Sequence, residues 1–243
     1  MRSIAHFPIR ICAEASQIPR IQIPLRDLYS CADAELEIRR AFLSVETLRN
    51  GGRKMEELMR ALREEALALG AYRAELVKVE DISTDASFRS LCASNACGNY
   101  GKNYMCPPDI GTIEELMQEL RTYETALVYQ TVGFLEDSYD FEGMMEAGNR
   151  HNELAQKLRA SAQERSAQED GIELLHLGAG GCRVCATCGK RTGEPCRFPE
   201  KAIGSLEAYG VNVSLLAQTA GMRYINGQDT VTYFGTILCR TRR

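Results

Sequence analysis

Hydrophobic positions along the chain change their period several times, and each change marks an element. From Glu56 to Leu69, residues Leu58, Leu62, Ala66 and Leu69 fall on one helical face, and Gly70 stops the run. An amphipathic helix is predicted there. Upstream, Glu35 to Leu48 carries a second helical pattern ended by Asn50-Gly51-Gly52, and Ile18 to Leu28, with two prolines, reads as extended. Ala74 to Ile82 alternates in part and predicts a strand. Thr112-Ile113-Glu114-Glu115 opens a helix that runs to about Tyr123. Thr125 to Phe134 is apolar and β-branched, the composition of a buried strand.

The second half continues in the same manner. Phe141 to about Gln168 is a long helical stretch, although its portion from Ser161 to Asp170 also reads as a solvated loop. Glu173 to Leu177 is a short strand. Ser205 to Tyr209 and Val213 to Ala220 suggest short helices separated by Gly210. Met222 to Ile225 and Thr230 to Cys239 look like strands joined by Asn226-Gly227, a strong hairpin signal. Strands alternating with helices predict an α/β fold, a mixed sheet with helices packed on it. The fresh helical start at Met55 predicts two parts. Residues 1–54 are an N-terminal extension, poorly ordered or partly helical, and residues 55–243 are the α/β domain.

Composition changes this picture little. Of 243 residues, 44% are hydrophobic and 26% charged, as in ordinary globular chains. The net charge of −4 leaves no nucleic-acid footprint. Residues 1–54 carry nine Lys+Arg against six Asp+Glu, a balance of +3; the rest carries 20 against 27, a balance of −7. No apolar run approaches the roughly 18 residues of a membrane span, and no secretory signal is evident at the start. A cytoplasmic protein with reduced thiols is expected.

Cysteine changes it a great deal. Seven of ten cysteines fall into two tight sets. The first is Cys92, Cys97 and Cys106, within a loop from Asp85 to Pro108. The second is Cys182, Cys185, Cys188 and Cys196, entered through Gly178-Ala179-Gly180-Gly181. Cys12 and Cys31 stand alone. Such density without a secretory signal points to metal binding or catalysis rather than to disulfides.

In the second set, three cysteines recur every third residue and a fourth follows after a gap of seven residues. This is close to the ferredoxin-type spacing for a [4Fe–4S] cluster, with a longer last gap and Phe198 between Cys196-Arg197 and Pro199. Arg183, Lys190, Arg191, Arg197 and Lys201 would offset the negative charge of such a centre. Zinc held by four thiolates is the alternative, because Cys185-Ala186-Thr187-Cys188 also reads as a zinc knuckle. The single fourth cysteine favours the cluster.

The first set has three thiols. Cys239, His176, a residue of the other loop or an external molecule would have to complete it. Cys239 in an apolar strand reads more simply as a core thiol, and His176 as an ordinary strand residue. Asp109 and Glu114 read as helix-start charges before acid–base groups. Tyr100, Lys102 and Tyr104 either line a site or pack the loop. Radical-SAM spacing and a phosphate-binding P-loop are both missing, and the dinucleotide reading of Gly178-x-Gly180-Gly181 is weak.

These stretches resemble the DUF2284 family of metal-binding proteins. The residues that carry the resemblance are Cys92, Cys97, Tyr100-Gly101-Lys102-Asn103, Cys106-Pro107-Pro108, Gly181-Cys182, Cys185, Cys188, Cys196-Arg197 and Pro199. Glu207-Ala208-Tyr209-Gly210-Val211-Asn212-Val213 and Ala220-Gly221 also look like that family, over roughly Met55 to Arg240. The resemblance implies metal binding and no particular reaction. The expectation is an iron–sulfur protein with an electron-transfer or accessory redox role, working with a redox protein partner. The alternative is a zinc-stabilised interaction module.

Overall fold

Thr125 to Phe134 is a strand along its whole length, one of five in a single sheet. The structure is a computed structural model that describes residues 31–169 and 171–242, with side chains from Asn50 onward. The strands are β1 (Arg73–Lys78), β2 (Thr125–Phe134), β3 (Ile172–Gly178), β4 (Gly204–Ser205) and β5 (Thr230–Thr241). Their order is β1-β2-β5-β3-β4. β2 and β5 pair antiparallel from Thr125↔Cys239 to Phe134↔Thr230, and β1 and β3 flank them antiparallel. Only β3 and β4 run parallel, so the sheet is mixed, as expected.

Helices cover both faces, because the strands are apolar at consecutive positions and side chains alternate sides. Leu127, Tyr129, Ile237 and Cys239 face α1 (Cys31–Ala68) and α4 (Phe141–Ala167), where Met59, Leu62 and Leu158 meet them. Ala126, Val128 and Leu238 face the other way, against Leu116 and Leu120 of α3 (Ile113–Arg121) and Leu216 of α5 (Val213–Thr219). Most of these side chains are fully buried, and each large one contributes roughly 1.5–3 kcal/mol. Opposite Tyr129 stands Gly235; a Cβ there would lie 2.3 Å from the Tyr129 ring, so glycine makes room for it.

Local chemistry sets the helix starts. Thr112 and Glu115 form a capping box on α3. Asp140 accepts from the Gly143 amide at 2.8 Å to cap α4, and Asn212 accepts from Leu215 to cap α5.

Several expectations need correction. The break at Asn50-Gly51-Gly52 does not occur: α1 runs through it. Two glycines cost a helix about 1 kcal/mol each, which does not by itself end it. The true stop is Gly70, at φ +101°. Chain contacts divide the molecule into Met1–Arg53 and Lys54–Arg243. Ile18 to Leu28 and Cys12 lie outside the described residues.

β1 ends at Lys78, and Val79–Asp81 form a 3-10 turn. That turn brings Val79 and Ile82 into the same core, whereas a strand would send them to opposite faces. Ser205 to Tyr209 splits into the end of β4 and a 3-10 turn, Glu207–Tyr209. α4 continues through Ser161, whose hydroxyl donates to Glu65 at 2.7 Å, so the loop reading of that portion fails.

The Asn226-Gly227 hairpin is absent as well. Both edges of β5 are already occupied by β2 and β3, which leaves no place for a partner strand. Met222 instead closes the end of α5, and Asn226 bonds Arg223 and Thr232 in a local turn.

Candidate metal centre

The second cysteine loop leaves the sheet at the end of β3, and the first loop packs against it. Gly180 turns the chain at φ +70°. At Gly181, a Cβ would stand 2.8 Å from Asn99 and 3.1 Å from Asn103, so the glycine backbone lies directly on the first loop. Further ties join the loops. The Tyr104 hydroxyl donates to the Glu194 carbonyl at 2.7 Å, Lys190 pairs with Asp109, and Lys190 Nζ sits 5.6 Å from the Tyr104 ring centre. Tyr104, Lys190 and Asp109 therefore fasten the loops to each other. Glu114 lies in the first turn of α3.

The eight cysteines whose side chains are described are all free. In the second set, the Cys182 thiol sits near the backbone amides of Val184 and Ile203. Burial pushes that thiol's pKa up; the two amides oppose this, and the neighbouring Cys196 and Cys185 add to it. Arg197 donates to Glu194 at 2.9 Å and to the Thr187 carbonyl at 3.1 Å, and it interacts electrostatically with Cys185. Cys188 leads into the 3-10 turn Gly189–Thr192. Of the five expected cations, Arg197 is the one that acts electrostatically on a thiol of this set, Cys185. Lys190 goes to Asp109, Arg183 to Asn149 and Lys201 over the Phe198 ring.

In the first set, Cys92 rides on the short helix α2 (Phe88–Ala93), Cys97 is exposed and Cys106 is buried. Burial raises the Cys106 thiol most, the nearby Asn103 side-chain amide opposes this, and Cys97, Cys92 and Cys182 raise it further. Cys106 thereby feels members of both sets. The three thiols line one cavity of about 360 Å³ between the loops, together with Leu91, Gly181 and Glu207. A smaller cavity of about 20 Å³, lined by Cys182, Arg183 and His151, has room for one water. Among the described residues, no group of three or more His, Cys, Asp or Glu side chains is arranged to hold a metal ion as it stands.

Cys239 and His176 do not line the larger cavity. Cys239 is fully buried between α1 and the sheet, and burial pushes its thiol up to about 12. His176 shares a 2.7 Å hydrogen bond with the Tyr129 hydroxyl, and Tyr129 in turn stacks on His151 at 5.6 Å.

A family model described as "Predicted metal-binding protein (DUF2284)" matches residues 75–239. The chain belongs to this family. No curated protein and no solved structure matches it. The DUF2284 match spans both cysteine loops and all three central strands through Cys239. The donor set fits a soft metal centre by its chemistry: seven unbridged thiols in two loops packed on each other.

Four residues at this site carry no signal in spacing or period: Asn99, Asn103, Arg159 and Glu207. Arg159 reaches from α4 into the field of Cys182 and donates to the Glu200 carbonyl at 2.7 Å. Asn103 and Glu207 do lie in stretches that carry the DUF2284 likeness, which is the one hint the sequence offers.

Proposed function

We propose that this DUF2284 protein is an iron–sulfur protein of the cytoplasm with an electron-transfer or accessory redox role and a redox protein partner. Cys182, Cys185, Cys188 and Cys196 hold a [4Fe–4S] cluster, and Cys92, Cys97 and Cys106 belong to a second centre. The observation that carries this reading is the packing of two loops that bring seven free thiols to one end of the sheet, with Gly181 lying directly on the first loop. Backbone N–H groups and positive charge near such sulfurs, as Val184, Ile203 and Arg197 supply electrostatically here, favour thiolate ligands and raise the reduction potential of a bound cluster. When bound, the cluster supplies one-electron transfer; the chain binds it, shields it and sets its potential.

Four-thiolate zinc is the second reading. It is favoured by the tight turn directly after Cys185 and Cys188, which holds two donors at short spacing. Anaerobic purification followed by iron, sulfide and zinc analysis separates the two. A cluster gives brown protein with absorption near ~400 nm and about four irons with matching sulfide at the main loop. Colourless protein with stoichiometric zinc overturns the redox reading.

A further inference from the structure

The first cysteine loop, from Asp85 to Pro108, contains two cations, Arg89 and Lys102. Lys102 is exposed to solvent. Arg89 is half-buried, and its Nε and Nη2 atoms are fully buried without a hydrogen-bond partner among the described residues. Those two nitrogens form one edge of the guanidinium, an edge that can grip an anion with two parallel bonds. Arg89 stands three residues before Cys92 on α2, and residues so spaced are neighbours on a helix. Burial pushes the Cys92 thiol up; Arg89 opposes this, and Cys97 and Glu207 add smaller increases.

A buried positive charge destabilises a fold unless a negative group meets it. Among the described residues, no ion pair or hydrogen bond engages the buried edge of Arg89, so the folded loop carries an uncompensated cation beside Cys92. Metal binding changes the charge of that neighbour, because the thiolate and not the thiol is the ligand. We propose that Arg89 is a positioning residue for the first cysteine set: its buried guanidinium is the counter-charge for the thiolates of Cys92 and its neighbours, and it finds its partner when a thiophilic metal ion draws those thiolates together. This rests on the reading of the first set as a second metal centre. It assigns no further ligand to that centre; it names the group that lets the loop accept negative charge. Such an arrangement sets the stability of the empty loop against its affinity for metal, since the same cation is a cost before binding and a stabilising partner after it.

The test uses the full chain, stripped of metal and titrated with cobalt(II) alone. Thiolate-to-cobalt absorption counts the centres, and the part lost in Cys97→Ser is the signal of the first set. Arg89→Met keeps the apolar stem and removes the charge; Arg89→Lys keeps the charge and removes the fork. Arg89→Met is expected to lower cobalt affinity at the first set by about tenfold or more, with Arg89→Lys in between and the signal of the second set unchanged. In metal-free protein the direction reverses: Arg89→Met melts at or above the wild-type temperature, because a buried cation without a partner is gone. An arginine that only packs the loop gives the opposite pair of results, a lower melting temperature with wild-type affinity. Wild-type cobalt affinity in Arg89→Met overturns the proposal, and so does a metal-free Arg89→Met protein that melts below wild type. A Cys97→Ser protein that binds as much cobalt as wild type removes the second centre itself, and the inference with it, so the two failures are told apart.

Discussion

Between β2 and β5, ten residue pairs run in unbroken register, and Leu127, Ile237 and Leu238 have no exposure at all. In the cysteine loops, Cys97 is exposed, regular structure is confined to the six residues of α2 and short turns, and side-chain ties join one loop to the other. The sheet is held by burial, which acts the same whether or not metal is bound. The loops are held by individual polar contacts, each of which contributes on the order of 1 kcal/mol or less. A centre that binds several thiolates would add far more than any of those ties, which is how metal binding becomes coupled to local order. The contrast implies that the sheet tolerates metal removal and the loops do not.

The sharpest way to break this contrast is Cys182→Ser. It should remove all metal from the second set while changing the unfolding free energy of metal-free protein by less than about 1 kcal/mol, as measured by metal analysis and denaturant titration. Protease cutting should then rise within residues 182–196. If the metal-free sheet unfolds along with the loop, the two regions are not independent.

Leu158→Ala is the converse. Leu158 is fully buried between α4 and the sheet, so its truncation should cost about 2–5 kcal/mol in the same titration, with equal metal content per folded chain.

Acid should act on the sheet through its buried histidines. Burial holds His151 down to about 4 and His176 down to about 3, with Arg183 and Arg159 as smaller contributors respectively. The folded values lie below the ordinary one of about 6.5, so the unfolded chain binds protons first. Their contribution is therefore full above about pH 6.5 and is lost as pH falls towards 4 and 3, by up to about 1.4 kcal/mol per pH unit for each histidine. Melting temperature against pH, in wild type and in His176→Gln, measures this; an unchanged slope in the variant counts against it.

The smallest effect is expected at the loop junction. Lys190→Ala removes the pair with Asp109 and should cost roughly 0.2–1 kcal/mol, since both groups keep contact with solvent. Its visible consequence is faster metal loss to a chelator rather than a lower melting temperature.

Much of the sheet was legible because its signals are local. The apolar run of β2, the Thr112 cap and the helical face of Leu58, Leu62 and Ala66 each depend on neighbours within a few residues. The errors arose where distant chain intervened. Asn226-Gly227 has every local feature of a hairpin, yet β3 occupies the edge of β5 that the hairpin needs. Val79 and Ile82 alternate badly as a strand because the packing they serve follows a turn of three residues.

By itself the sequence determined most of the long elements, the two sets of thiols and their suitability for a soft metal, because spacing along the chain and side-chain chemistry are local properties. Tertiary structure alone decided which groups meet. It placed β5 at the centre of the sheet, withdrew Cys239 and His176 into the core, and set Glu207 beside thiols more than a hundred residues upstream. Those placements come from burying both faces of one sheet, a constraint shared by the whole chain that no short stretch of it contains.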